Sequence, residues 1–391
     1  MSREFNFAVG RTNPETFPIE KMQQAANRAI EREFAEITNY HGKLGHLGLR
    51  KAMAQRESER EGVPVDAELV SLMNGSMQAV TLVAEALTQP QDTVICEEFT
   101  YGGTIAAYRS LKINMVGLPI DDDGMQIDFL EPAIRKLGTE RKPKFIYALT
   151  TYQNPSGTIM SRDRRLRLID IAARHDIPVV EDNCYGDVHY DGEKPQALYA
   201  LSDYDKIIYI CSLSKILAPG LRLGYLMAQQ PLFNTILERR HDAGGNYLTA
   251  SIVAELYQDG VWDITNELNE SLKIKKNLVV DGLQNELSDI CAWSDPAGGL
   301  FVWVRLPEDT DMDKLQAIAA SRNVFFAPGE NFHIHGKQSS YLRLAFGHVT
   351  DQDIRDGIPR LATCIKEART SNAKKNFNGL FDKRPNSIAG G

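Results

Sequence analysis

The sequence predicts an α/β chain, a mostly parallel sheet flanked by helices, joined to a smaller α+β domain. Three observations carry that prediction. Short apolar runs of strand length alternate with helical apolar periodicity through the middle of the chain. The texture changes to a long charged helical stretch and an isolated strand after residue 265. The length of 391 residues suits two or three domains at roughly 150 residues each.

Taken in order, residues 144–149 (KFIYAL) form an apolar run suited to a buried strand. Ser161 stands where it can cap a helix whose apolar positions Leu166, Ile169, Ala172 and Ala173 recur at helical spacing, and Pro178 ends that turn. Residues 179–182, 206–210 and 223–227 read as further strands in βαβ alternation. A charged helix over residues 267–285 leads to Gly298, Gly299 and the strand that follows them. The expected division is a large domain over 46–279, a small domain built from 1–45 with 280–369, and a mobile polar tail over 370–391.

Hydrophobic residues at 43% and charged residues at 25% exclude general disorder. The formal charge of -8 repels nucleic-acid phosphates. No apolar run reaches the length of a signal peptide or a membrane span, so the expectation is a cytoplasmic protein with neither nucleic acid nor membrane as partner. Cys96, Cys184, Cys211, Cys291 and Cys364 are scattered without a C-x-x-C pair and read as reduced thiols. His333, His335 and His348 lack an accompanying carboxylate or cysteine cluster, and no metal is expected. The glycine pairs do not form a dinucleotide fingerprint, and neither a G-x-S-x-G elbow nor an H-E-x-x-H helix occurs.

Residues 211–222 (CSLSKILAPGLR) carry the chemistry. Lys215 follows a predicted strand amid hydroxyls and apolar residues, and a desolvated amine there can form a Schiff base with an aldehyde. Ser212 and Arg222 can hold a phosphate beside it. This segment resembles the lysine signature of the fold-type I, class I/II aminotransferases that use pyridoxal 5'-phosphate. Residues 152–158 (YQNPSGT), 181–186 (EDNCYG), 296–303 (PAGGLFVW), 328–332 (PGENF) and 341–346 (YLRLAF) follow the same family's order. Upstream, Tyr40, Gly45, Leu49 and Arg50 match its spacing, so the resemblance runs from about residue 10 to 360. The branch it resembles most contains the kynurenine/2-aminoadipate aminotransferases and the catalytic-like domain of MocR-type regulators.

The resemblance implies a role for each matching residue. Asp182 would pair with the pyridine nitrogen, and Asn154 and Tyr185 with the ring's 3-oxygen. Gly75, Ser76 and Met77 at a helix N-terminus, with Ser212, Ser214 and Arg222, would hold the phosphate. Tyr101 would stack on the ring, Lys215 would bind the cofactor and move the substrate's proton, and Arg343 would grip the α-carboxylate. Tyr40 would reach the phosphate of a neighbouring subunit's cofactor, which implies a homodimer with shared sites.

Three departures stand out: Met77 where the family has glutamine, Phe99 where it prefers proline, and Arg11 where it has an apolar residue. In the family the segment holding Gly10 and Arg11 lines the substrate's side-chain pocket. Arg11 is therefore expected to recognise an anionic or polar group there. The implied reaction is amino transfer between an amino acid and a 2-oxo acid. The alternative is a β/γ-elimination, replacement or ring-forming enzyme, with an S-adenosylmethionine-like substrate as one option. A ligand-sensing regulator would need an attached DNA-binding region, for which a pattern beginning by residue 10 leaves no room.

Overall fold

The computed structural model describes residues 3–370, and the polar segment that follows lies outside the described residues. Among the described residues, the main sheet has seven strands: β1 (Val70–Met73), β2 (Thr93–Glu97), β3 (Asn114–Leu118), β4 (Ile146–Ala148), β5 (Val179–Asp182), β6 (Ile207–Ser212) and β7 (Gly224–Met227). Their order is β1-β7-β6-β5-β4-β2-β3. The pairs from β6 through β3 are parallel, and β4, β5 and β6 are buried along their whole length, as strands covered on both faces must be.

The strand expected at 223–227 is present, but β7 runs antiparallel to both β6 and β1. Its connection explains the reversal. Between Ser212 and Gly224 the chain makes turns and one short 3-10 helix over Pro219–Leu221, with no crossover helix to return it parallel.

Eight helices serve as landmarks: α1 (Ile19–Ile37), α2 (Leu47–Glu61), α3 (Ser76–Leu87), α4 (Gly102–Ser110), α5 (Arg162–Arg174), α6 (Tyr247–Leu256), α7 (Val261–Leu287) and α8 (Asp351–Ala368). Ser161 occupies the cap position of α5, yet its side chain makes no capping hydrogen bond. The charged helix predicted over 267–285 is the body of the longer α7.

A second sheet of β8 (Ala292–Trp293), β9 (Phe301–Arg305), β10 (Ala327–Pro328) and β11 (Tyr341–Ala345) is antiparallel in the order β8-β9-β11-β10. Phe5–Asn6 pairs in parallel with Val324–Phe325, so the N-terminal segment joins the C-terminal region. Gly357 of α8 lies against the rings of Phe5 and Phe7, where a Cβ would come within 3.0 Å of them. The carboxyl ends of β2, β4, β5 and β6 thus open toward β9 and β11, and the N-terminus of α3 enters the same crevice. Ligands of open α/β sheets bind at such a place.

Candidate active site

A cavity of about 320 Å³ lies in that crevice. A larger groove of about 760 Å³, lined by Tyr199, Tyr204, Tyr209 and Met227 among others, holds none of the residues singled out from the sequence.

Asp182 ends β5 and is buried. The Tyr147 hydroxyl on β4 donates to its Oδ2 at 2.6 Å, and Thr104 Oγ1 lies 3.0 Å from that hydroxyl. Oδ1 is buried with no hydrogen-bond partner. Burial raises the Asp182 pKa, while the neighbouring Cys184 and the Tyr147 hydroxyl oppose the rise. An unpartnered buried carboxylate oxygen is costly, so the site is incomplete without a donor. The N–H of a protonated pyridine ring is a donor of the right kind.

Lys215 lies in the turn after β6, and its Nζ donates to the Gly10 carbonyl at 2.8 Å. Burial lowers its pKa, leaving the amine more readily unprotonated than an exposed lysine. The Tyr185 ring centroid is 5.9 Å from Nζ, and Asn154 Nδ2 donates to the Tyr185 hydroxyl at 3.5 Å. Gln153 shapes the Asn154 loop by donating to the Phe99 carbonyl at 2.7 Å and accepting from the Ser156 backbone at 2.8 Å. Phe99 itself packs edge-on against Trp303, His333 and Tyr341, which gives a physical use to the ring found where the family prefers proline.

Gly75 precedes α3 with φ of +80°, and a Cβ there would strike the Arg222 guanidinium. The first N–H groups of α3 therefore face a cradle closed by Arg222, whose Nη2 donates to the Asn74 carbonyl at 3.0 Å. Ser76, Met77, Ser212 and Ser214 line the same end. A helix N-terminus beside a guanidinium is an anion site. Met77 takes nothing from it, because backbone amides supply these donors.

Tyr101 precedes α4 and lines the cavity while 37% exposed. Arg343 on β11 is buried between the rings of Phe301 and Phe332, at 4.2 and 4.6 Å from their centroids. Its Nη1 donates to Asn154 Oδ1 and its Nη2 to the Ala8 carbonyl, both at 2.7 Å, and its Nε has no partner. Burial lowers its pKa to about 10, so it stays cationic at neutral pH.

Two of the expected site residues fall elsewhere. Arg11 is exposed and does not line the cavity; only Gly10 does, packed so tightly that a Cβ would lie 2.8 Å from the Phe301 ring. The Arg11 N–H donates to the Val9 carbonyl at 2.9 Å in a tight turn that carries the side chain outward. Tyr40 is 97% exposed and contributes nothing to this chain's own cavity. Sequence reading missed Tyr147, Thr104 and Phe332. The one available signal was the Tyr147 hydroxyl set inside the apolar strand run 144–149. Among the described residues, no group of three His, Cys, Asp or Glu side chains could hold a metal ion.

The profile of aminotransferase class I and II matches residues 4–361. Aromatic-amino-acid aminotransferase 1 of Thermococcus litoralis is 33% identical over 366 residues, covering 93% of this chain and 88% of its own. The kynurenine aminotransferase of Pyrococcus horikoshii, solved with the pyridoxamine form of the cofactor, is 30% identical with a TM-score of 0.88, over 94% of this chain and 92% of that one. The α-aminoadipate aminotransferase LysN of Thermus thermophilus, solved with a phosphopyridoxyl-leucine, is 27% identical with a TM-score of 0.87, over 93% and 92%. The unpartnered Asp182 oxygen, the buried Lys215 amine and the α3 cradle fit pyridoxal 5'-phosphate. The chain belongs to the class I and II aminotransferases, in their kynurenine/2-aminoadipate-like branch, and is a pyridoxal-phosphate enzyme that transfers amino groups from amino acids.

Proposed function

We propose that this aminotransferase prefers amino donors with large uncharged side chains, aromatic or aliphatic, and acts as a cytoplasmic homodimer. One observation carries the preference. The cations lining the cavity are Lys215, Arg222 and Arg343, and each is committed in this reading: the amine to proton transfer, Arg222 to phosphate, Arg343 to the α-carboxylate. No cation of this cavity remains for a second carboxylate, and an unpaired buried charge is strongly disfavoured. Val9, Gly10, Tyr101 and Phe301 offer apolar and aromatic surface instead. The names of the relatives from Thermococcus litoralis and Pyrococcus horikoshii point the same way.

Bound pyridoxal phosphate supplies an electron sink for the charge that develops at the substrate's Cα. Asp182 would hold the ring nitrogen's proton through its unpartnered oxygen, while Tyr147, backed by Thr104, fixes the carboxylate's other oxygen. Arg343 receives the α-carboxylate and sets which Cα bond faces the ring, while Asn154 and the two flanking rings keep the guanidinium in place. Lys215 Nζ, whose pKa burial lowers, would take the Cα proton as general base. Tyr101, which lines the cavity, would cover the ring face and exclude water. The second substrate is a 2-oxo acid, gripped by the same arginine.

Steady-state rates with phenylalanine, tyrosine, leucine, glutamate and 2-aminoadipate as donors test this. The expected kcat/KM is at least about tenfold higher for the uncharged set, since one unpaired charge outweighs 1.4 kcal/mol. Acidic donors turning over faster would contradict it. Arg11→Leu tests whether the exposed Arg11 takes part: it leaves the ratio of acidic to aromatic donors unchanged within about twofold, the level of an exposed side chain. A selective loss of acidic donors would mean that Arg11 enters the site.

A further inference from the structure

Beside the α3 cradle, but outside the cavity, lies a group that the chemistry above does not use. The exposed Asp242 carboxylate accepts from Asn74 Nδ2 at 2.8 Å and from Gln78 Nε2 at 2.6 Å, the two side chains that flank Gly75, Ser76 and Met77. Gln78 Oε1 in turn accepts from the Asn74 backbone N–H at 2.8 Å, closing a ring around the turn. Arg240 Nε donates to Asp242 Oδ1 at 2.6 Å, and the Gly244 N–H reaches the same oxygen at 3.2 Å. Arg240 is almost fully buried and anchors the pair, donating through Nη1 to the Lys43 carbonyl at 2.6 Å, to Ser71 Oγ at 2.9 Å and to the Leu72 carbonyl. Burial opposes ionisation of Asp242, and the bonds from Arg240 and Gln78 overcome it, drawing the carboxyl down to about 2. It is an anion at every working pH.

An anion next to a phosphate site repels phosphate, so direct electrostatics does not account for it. The geometry points to a different task. We propose that Asp242, held by Arg240, is a positioning residue for the cofactor's phosphate: it ties Asn74 to Gln78 so that the amides of the intervening turn and the Arg222 guanidinium converge on one anion. The Asn74 carbonyl that receives Arg222 lies in the same braced turn, so slack there displaces both donors together. A carboxylate can accept the four groups that converge here; an amide oxygen with two lone pairs cannot.

Pyridoxal, which lacks the phosphate, serves as the control ligand. Cofactor-free enzyme is titrated with pyridoxal phosphate and with pyridoxal, reading the visible absorbance of the bound ring, in the parent, Asp242→Asn and Gln78→Met. Gln78→Met preserves side-chain length at a partly exposed position and removes both of its hydrogen bonds, so it carries the test where Asp242→Asn fails to fold. The proposal expects pyridoxal phosphate to bind about tenfold more weakly in each variant, the equivalent of one to two good hydrogen bonds. Pyridoxal should stay within about twofold of the parent. Tighter binding of the phosphorylated ligand in Asp242→Asn would mean that repulsion was the carboxylate's main effect. Equal loss of both ligands would reduce the pair to general scaffolding. Either result, or no change at all, overturns the proposal.

Discussion

The hydroxyl of Tyr147 meets one oxygen of Asp182 at 2.6 Å and leaves the other without a partner. That hydrogen bond favours the ionised carboxylate, so removing it raises the Asp182 pKa further. Tyr147→Phe keeps the ring and deletes the hydroxyl with its bonds to Asp182 and Thr104, of which the one to the charged acceptor is worth about 1.5–3 kcal/mol. The expected result is a drop of about tenfold or more in kcat, with the acid limb of the pH-rate profile moved to higher pH. An unshifted profile would show that Tyr147 merely packs. At this scale Lys215, Asp182, Asn154, Arg222 and Arg343 stood out because each lies in a segment whose order resembles the family's, and Arg343 is also a charge set between apolar neighbours on a strand. Tyr147 and Phe332 were not, because an aromatic side chain in a strand or turn reads as core until its partners are seen. Arg11 misled for the converse reason: a one-residue turn of backbone decides whether a loop side chain enters a cavity.

Elements show the same division between pattern and path. Alternation of apolar runs located β4, β5 and β6, but the direction of β7 depended on the length of a connection and the absence of a helix within it. Ser161 sits where a cap belongs and does not cap, so Ser161→Ala should change the urea midpoint of unfolding by less than the equivalent of about 0.5 kcal/mol. A loss of 1 kcal/mol or more would contradict the local geometry. Glu97 at the end of β2 is more consequential. It is buried, accepts the Leu149 N–H at 2.8 Å, and burial raises its pKa to about 7. The folded protein holds this proton where the unfolded chain, with a pKa of 4.5, releases it. The stability it contributes is complete below 4.5 and is lost as the pH rises toward 7. Glu97→Gln removes the titration, so its stability relative to the parent should improve between pH 5 and 8, by on the order of 1 kcal/mol in urea unfolding. A difference that does not vary with pH would place the titration elsewhere.

Across the whole molecule, the sequence pointed to strand ends carrying the chemistry and to a change of texture after residue 265, while the crevice between the two sheets came only with the fold. The contribution of a second chain was not readable from either sheet. Tyr40 is 97% exposed, and its neighbour His41 stacks on Tyr247 with centroids 3.6 Å apart, which fixes the segment while leaving Tyr40 outward. If Tyr40 serves a partner's cofactor, the variants Tyr40→Ala and Lys215→Ala complement each other. In a hybrid dimer one site carries both defects and the other carries neither. Co-expression should therefore restore activity well above that of either variant alone, and failure to do so in a proven dimer would confine each site to one chain.

Amino transfer on pyridoxal phosphate is proposed to depend on Lys215 and Asp182 together. The most direct measurement is the visible spectrum of the purified holoenzyme during sequential addition of phenylalanine and a 2-oxo acid. The expected record is loss of the cofactor's visible band with the donor and its return with the oxo acid, in the parent and not in Lys215→Ala. A Lys215→Ala protein that still cycles, or a parent that releases a leaving group and never reaches the aminated cofactor, would contradict it.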